Sequence, residues 1–293
     1  THIPARSMTP PVSLVELLHA SRLTAVVDIG ANPIDGDPPY KKMLAVRLCT
    51  VIGFEPQEEA LGELLRRKGD LEQYLPYAVG DGQPHTLNVC RASGMTSLLK
   101  PDPTTLILFE ALRPLGEVIR QIPIQTRRLD EIAEIGHLDF LKIDVQGGEL
   151  AVFRGGTKKL AEAVVIQTEI SFVPLYQDQA VLGDIDLQLR RQGFLPHGFA
   201  AIKKWPIAPC VINNDSTRAL NQLLEADLVY VRDFSYPGAM SDEQLKHLAL
   251  IAHFCYGSFD LALRCVMLLE QRGVLPTGAQ KTYLELLTKA RGS

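Results

Sequence analysis

The sequence is short of several things, and each shortage removes a class of function. It has five cysteines (Cys49, Cys90, Cys210, Cys255 and Cys265), an odd number with no C-x-x-C pair. Zinc knuckles and thioredoxin-type redox centres need such pairs, so neither is signalled, and a reducing compartment fits. Cys49 and Cys90 sit among apolar neighbours and read as buried thiols. No histidine pair at ligand spacing and no local carboxylate cluster points to a metal, and none is expected. No apolar run approaches the ~20 residues of a membrane-spanning helix, and residues 1–11 hold no apolar stretch of secretory-signal length. Positive charge is not in excess either: Lys+Arg number 30 against Asp+Glu 34, a formal net charge of −4. A dedicated nucleic-acid binder carries a basic footprint, so nucleic acid is not an expected partner. A soluble, cytoplasmic protein is expected.

Hydrophobic residues make up 46% and charged residues 22%, the balance of a packed globular chain rather than a disordered one. A length of 293 residues allows one or two domains at roughly 100–200 residues each. Strands are predicted at 25–30, 50–56, 74–79, 86–90, 122–126, 138–145, 163–170 and 227–232, and helices at 39–48, 58–68, 149–161 and 183–192. The 58–68 segment puts Leu61, Leu64 and Leu65 on one face, with Arg66, Arg67 and Lys68 at the end where cations suit the helix dipole. Such alternation implies an α/β fold with a mostly parallel sheet and helices on both faces. Residues 206–221 lack periodicity and read as a loop or lid. After a break at 235–238, two amphipathic helices are predicted at 241–255 and 259–273, with Ser241 as N-cap. The expected division is therefore 1–234 for the α/β domain and 235–293 for a C-terminal helical extension. The extension could cover a cleft or form a homodimer face, and both readings stay open.

In an open parallel sheet, ligands bind beyond the carboxyl ends of the strands, where strand order reverses. The first strand ends in Asp28-Ile29-Gly30-Ala31-Asn32 and the second in Glu55-Pro56. Gly30 permits a sharp turn that brings backbone N–H groups near a ligand. Glu55 can accept hydrogen bonds from both hydroxyls of a ribose, and a carboxylate ending an apolar strand needs such donors. The turn at 30–38 lacks the G-x-G-x-x-G of dinucleotide folds, and Asp28, Asp35 and Asp37 put negative charge where a pyrophosphate would lie. S-adenosylmethionine, with its sulfonium and α-ammonium, suits that charge better. A nicotinamide-dependent oxidoreductase and a catalytically silent interaction scaffold are the alternatives. The missing glycine triplet counts against the first, and the Asp28–Glu55 pair against the second.

The motifs V-V-D-I-G-A-N (26–32), G-F-E-P (53–56), A-V-G-D (78–81), G-M-T-S-L (94–98), R-L-D-E-I (128–132) and L-D-F-L-K-I-D-V-Q-G-G-E-L-A-V-F-R-G-G (138–156) resemble, in that order, the FkbM family of methyltransferases. The last block is the most specific to the family. The resemblance implies a Rossmann-like class I methyltransferase fold with a seven-stranded sheet. It also implies S-adenosylmethionine-dependent O-methylation of a small-molecule or glycan acceptor, such as a sugar, glycolipid or polyketide-like hydroxyl. Asp28, Gly30 and Asn32 match the cofactor turn and Glu55 the ribose-binding carboxylate, while Ala78, Val79 and Asp81 lie where the adenine edge is held. Asp144 matches the acidic residue ending the fourth strand, with a cofactor or acceptor role. Two departures stand out: Pro33-Ile34-Asp35 follows Asn32 where the family often has glycine, and Gln146 stands where it often has Glu.

A hydroxyl acceptor has to lose a proton, and Asp144 or Glu169, at the end of the fifth strand, is expected to orient and deprotonate it. His137 and His197 are the histidines nearest the expected cleft. Glu149 is either a site residue or a helix-start residue suited to the dipole. Thr96 and Ser97 contact the cofactor or form a turn. Residues 171–179 and 206–221 are expected to shape the acceptor pocket, with Phe172, Tyr176 and Trp205 stacking on the acceptor or simply packing.

Overall fold

The computed structural model describes residues 13–32 and 36–290, so the departure at 33–35 lies outside the described residues. Two compact units are present, one of residues 23–236 and one combining 13–22 with 237–290. The larger holds ten strands: β1 Thr24–Ile29, β2 Cys49–Phe54, β3 Glu72–Leu75, β4 Ala78–Val79, β5 Pro84–Cys90, β6 Val118–Arg127, β7 Phe140–Ile143, β8 Val165–Ser171, β9 Phe194–Lys204 and β10 Leu223–Arg232. Seven form one sheet in the order β3-β2-β1-β7-β8-β10-β9. β3, β2, β1, β7 and β8 pair in parallel, and β10 runs against both β8 and β9. This is the seven-stranded, mostly parallel arrangement of the Rossmann-like class I methyltransferase fold.

Neighbouring side chains on a strand point to opposite faces, and Val26 and Val27 are both 1% exposed. The sheet is therefore covered on both sides, which explains why its strands read as continuous apolar runs. On one face Val27, Ile29, Leu141, Ile143 and Ile166 share a core with Val152 and Phe153 of the Glu149–Arg154 helix and Ile185 and Leu189 of the Leu182–Arg191 helix. A small second sheet, β4-β6-β5, adjoins a separate apolar cluster of Cys90, Met95, Leu106, Phe109, Leu112, Leu175, Tyr176 and Leu224.

Several details differ from the sequence-based expectation. The 74–79 strand is two strands in different sheets, β3 and β4. The 149–161 helix is two helices, Glu149–Arg154 and Thr157–Leu160, with Gly155 and Gly156 between them. A Cβ on Gly156 would lie 2.6 Å from Leu129 Cδ2 and 3.0 Å from the Val152 carbonyl oxygen, so a side chain there would have to displace its neighbours. β9 carries Pro196 and Gly198, which argue against a central strand but are tolerated at a sheet edge; that is where β9 lies. β10 begins at Leu223, so it takes in Glu225 as well as Asp227.

The smaller unit consists of the Leu14–Leu18, Asp242–Tyr256, Phe259–Gln271 and Ala279–Ala290 helices. Ser241 Oγ accepts from the Gln244 N–H, and Gln244 Oε1 accepts from the Ser241 N–H, a reciprocal cap at the helix start. Gly257, at φ +62°, ends that helix in the left-handed region. No helix among the described residues is long and apolar enough to cross a membrane.

Candidate functional site

β1 pairs with β2 on one side and β7 on the other, so the order of strands reverses at β1. Just beyond the ends of these strands lies a cavity of about 1040 Å³. Its lining includes Asp28, Gly30, Asn32, Glu55, Ala78, Val79 and Asp144. Seven of the sequence-predicted site residues are thus brought together, although they are spread over more than a hundred positions. Thr96, Ser97 and Trp205 line it as well.

Asp28 is buried. Its Oδ2 accepts from the Tyr40 hydroxyl at 2.5 Å. Its Oδ1 accepts no hydrogen bond among the described residues and has Lys142 Nζ at 3.4 Å. The parallel register sets Lys142 directly opposite Asp28 across β1 and β7. Burial works against the Lys142 ammonium, but the Asp28 and Asp144 carboxylates beside it outweigh that effect and raise its pKa. Glu55 is also buried, and its Oε1 accepts from the Gln57 N–H at 2.7 Å. Burial pushes the Glu55 carboxyl up to about 7, with nearby Asp28 adding to the rise against the Gln57 hydrogen bond. Two acidic groups therefore face one cavity with fewer donors than they can accept.

Gly30 has φ +77°, and a Cβ there would lie 1.8 Å from the Asp144 carbonyl oxygen. The expected benefit was N–H groups turned toward a ligand, but both the Gly30 and Ala31 N–H groups donate to the Phe54 carbonyl. The glycine instead lets the end of β1 touch the backbone that follows β7. Its neighbour Asp144 donates its own N–H to the Ile29 carbonyl at 2.9 Å.

Two predicted residues stand away from the cavity lining. Asp81 closes a turn, its Oδ1 accepting from the Gln83 N–H, the Thr126 hydroxyl and His85 Nε2. Glu169 is 5% exposed and accepts from Gln146 Nε2 at 2.9 Å and Lys203 Nζ at 3.4 Å. Burial pushes its carboxyl well above the usual range, with Asp144 and Glu225 adding to the rise. Neither His137 nor His197 lines the cavity. Phe172 packs on the large core, and Tyr176 is buried with its hydroxyl 3.2 Å from both the Met95 carbonyl and Gln146 Oε1.

The sequence shows no local carboxylate cluster, yet folding assembles one. Carboxylate oxygens of Asp144, Glu149 and Glu169 lie within 4.8 Å of one another. Glu149 Oε1 accepts from the Val145 and Gly147 N–H groups, and burial raises its carboxyl to about 7. A cation could bridge the three only by displacing protons that burial favours on Glu149 and Glu169. Sequence reading also missed Tyr40, Lys203, Glu225 and Asp227, which complete the cavity wall. Lys142 was legible as a neighbour of Asp144, whereas Tyr40 reaches Asp28 through a loop that leaves no periodic signal.

Residues 28–196, more than half of the chain, match the methyltransferase FkbM domain. Among curated proteins no similar sequence is found. Solved structures with a similar chain path include a magnesium protoporphyrin IX methyltransferase from Synechocystis with bound SAM, at 13% identity and a TM-score of 0.37, covering 75% of this chain and 76% of that one. Others are a precorrin-6y C5,15-methyltransferase from Geobacter metallireducens (11% identity, TM-score 0.37, 75% and 85% covered) and an S-adenosylmethionine-dependent methyltransferase assigned in Listeria monocytogenes (9% identity, TM-score 0.39, 75% and 94% covered). On the extent of the domain match, this chain belongs to the FkbM family of methyltransferases.

Proposed function

We propose that the chain methylates a hydroxyl of a small-molecule or glycan acceptor (a sugar, glycolipid or polyketide-like compound), using S-adenosylmethionine as donor. The observation that carries the reading is the pair of buried carboxyl groups, Asp28 and Glu55, facing one cavity with acceptor capacity unused on Asp28 Oδ1. A ligand that brings a diol and a cationic amino acid end supplies the missing donors. In this reading Glu55 takes the ribose hydroxyls and Asp28 the cationic side. Gly30 and Asn32 border the same end, and Ala78 and Val79 flank the adenine. Bound there, S-adenosylmethionine supplies an electrophilic methyl group whose transfer to oxygen breaks the C–S bond.

The protein's part is to align acceptor and donor, exclude water and take up the hydroxyl proton. Asp144 lines the cavity at the end of β7 and in this reading takes up the acceptor's proton, while Glu169 acts from behind it. A cytoplasmic setting is supported by five unpaired cysteines. Pairing of two copies through the C-terminal helices is supported by the exposure of Leu284 on the Ala279–Ala290 helix.

Isothermal titration with S-adenosylhomocysteine, S-adenosylmethionine and NADH tests the donor. Micromolar binding of the first two is expected, and Asp28→Ala or Glu55→Ala should each weaken it by about 1.5–3 kcal/mol, the value of a hydrogen bond to a charged group. Binding of NADH in preference would overturn the reading. In a methyl-transfer assay Asp144→Ala should keep nucleoside binding and lose turnover.

A further inference from the structure

Gln146 lies in the left-handed region at φ +55°, an uncommon conformation for a residue with a side chain, and its surroundings hold it there. Here they do so at every polar atom outside its N–H. Its carbonyl accepts from the Ser97 hydroxyl at 2.6 Å, and its Oε1 lies 3.2 Å from the Tyr176 hydroxyl. Its Nε2 donates to Asp144 Oδ1 at 2.7 Å and to Glu169 Oε2 at 2.9 Å. One amide has two hydrogens and one carbonyl, and the site offers two carboxyl groups on one side and a hydroxyl on the other. Only this orientation satisfies all three.

The anchors are unequal. Glu169 and Tyr176 are buried, and Glu169 is further tied to Lys203, which also reaches Glu225 at 3.6 Å. Asp144 stands in the cavity wall, within reach of whatever occupies it. A fixed framework on one side and one cavity carboxylate on the other make the amide a clamp that sets where Asp144 points.

We propose that Gln146 is a positioning residue for methyl transfer: its amide, anchored by Glu169 and Tyr176, aims the Asp144 carboxylate at the point where the methyl group meets the acceptor oxygen. This rests on the methyltransferase reading above. No other side chain of similar length offers two donors and an acceptor in one plane. An ionised Glu at this place would instead set a fourth carboxylate among Asp144, Glu149 and Glu169.

The test needs no acceptor. Sinefungin is a donor analogue that carries an amine where the sulfonium methyl stands, and S-adenosylhomocysteine carries nothing there. The ratio of their affinities therefore reports a carboxylate aimed at the methyl position. The parent protein should prefer sinefungin, and Asp144→Asn should remove that preference. Gln146→Leu should lower it by about tenfold, the worth of one well-directed charged hydrogen bond, while leaving the S-adenosylhomocysteine affinity within about twofold. A purely structural role for Gln146 would weaken both ligands together, and that result, or an unchanged ratio, overturns the proposal. Should Gln146→Leu fail to fold, Gln146→Met carries the test: with the amide donors gone the preference should fall in the same way, and an unmoved ratio again overturns it. A parent protein that binds neither nucleoside brings down the methyltransferase reading itself, which separates the two failures.

Discussion

The titration of Glu55 makes nucleoside binding depend on pH in a calculable way. Burial holds its carboxyl at about 7, so about one tenth is ionised at pH 6 and about nine tenths at pH 8. The hydroxyls of a ribose donate hydrogen bonds and so favour the ionised form. Binding must then expel a proton wherever the free protein still holds one. Affinity for S-adenosylhomocysteine should rise about tenfold, ~1.4 kcal/mol, from pH 6 to pH 8. About half a proton should be released per ligand at pH 7. Titration calorimetry in two buffers of different ionisation enthalpy measures both quantities. Glu55→Gln keeps the shape and removes the titration, so its weaker binding should be flat across that range. Glu149 also sits at about 7 but does not line the cavity, so a slope surviving in Glu55→Gln would mean that the wrong carboxyl had been credited. An affinity that falls with pH, or proton uptake at pH 7, would refute the assignment of Glu55 to the ribose.

Gly30→Ala would set a Cβ 1.8 Å from the Asp144 carbonyl oxygen at φ +77°; it should cost more than ~3 kcal/mol, and a urea midpoint close to the parent's would contradict the close β1–β7 approach. Without ligand, Glu55 and Glu149 hold protons to about 7 against a usual 4.5. Their contribution is therefore full below the unfolded value and is lost as pH rises through 7, up to about 3 kcal/mol each. Urea unfolding should show a more stable protein at pH 5.5 than at pH 8, and the reverse order would refute those shifts. Buried Arg232 donates to the carbonyls of Leu160, Ala161, Ala163 and Gln192 and lies over the Phe194 ring at 4.0 Å. Arg232→Met strands those acceptors and should cost ~3–5 kcal/mol by the same measurement, with Arg232→Lys recovering only part because an ammonium cannot fork; a loss under ~1 kcal/mol would refute the role.

Strands buried on both faces announce themselves by uninterrupted apolar runs, which is why the strands around 25–30, 50–56, 138–145 and 163–170 were legible. β9 was not, because its Pro196 and Gly198 carry the signature of a turn and are tolerated only through an edge position that sequence does not reveal. The acids at the strand ends could be read from the rule that ligands gather there. The partners of those acids could not. Tyr40 reaches Asp28, and Gln146 reaches Glu169, across 12 and 23 positions respectively, and no local pattern encodes either contact. Gln146 was visible only as a departure from a family habit, with nothing in the sequence to say that its amide had two carboxyl groups to hold.

The cavity tolerates its acids because the register distributes one cation among them. Parallel pairing sets Lys142 opposite Asp28, and the chain reaches Asp144 two residues later, so a single ammonium feels both carboxylates. Burial disfavours that ammonium, yet the flanking charges raise its pKa, which keeps it protonated where Asp28 needs it. The next cation along the wall, Lys203, does the same for Glu169 and Glu225. Neither lysine leaves the Glu55 end neutralised: there the carboxyl rises to about 7 instead of finding a salt bridge. Donors are thus supplied from within around Asp28, Asp144, Glu169 and Glu225 and are wanting at Glu55. That asymmetry is what a site requires if its carboxyl groups are to be positioned by the protein at one end and satisfied by the ligand at the other.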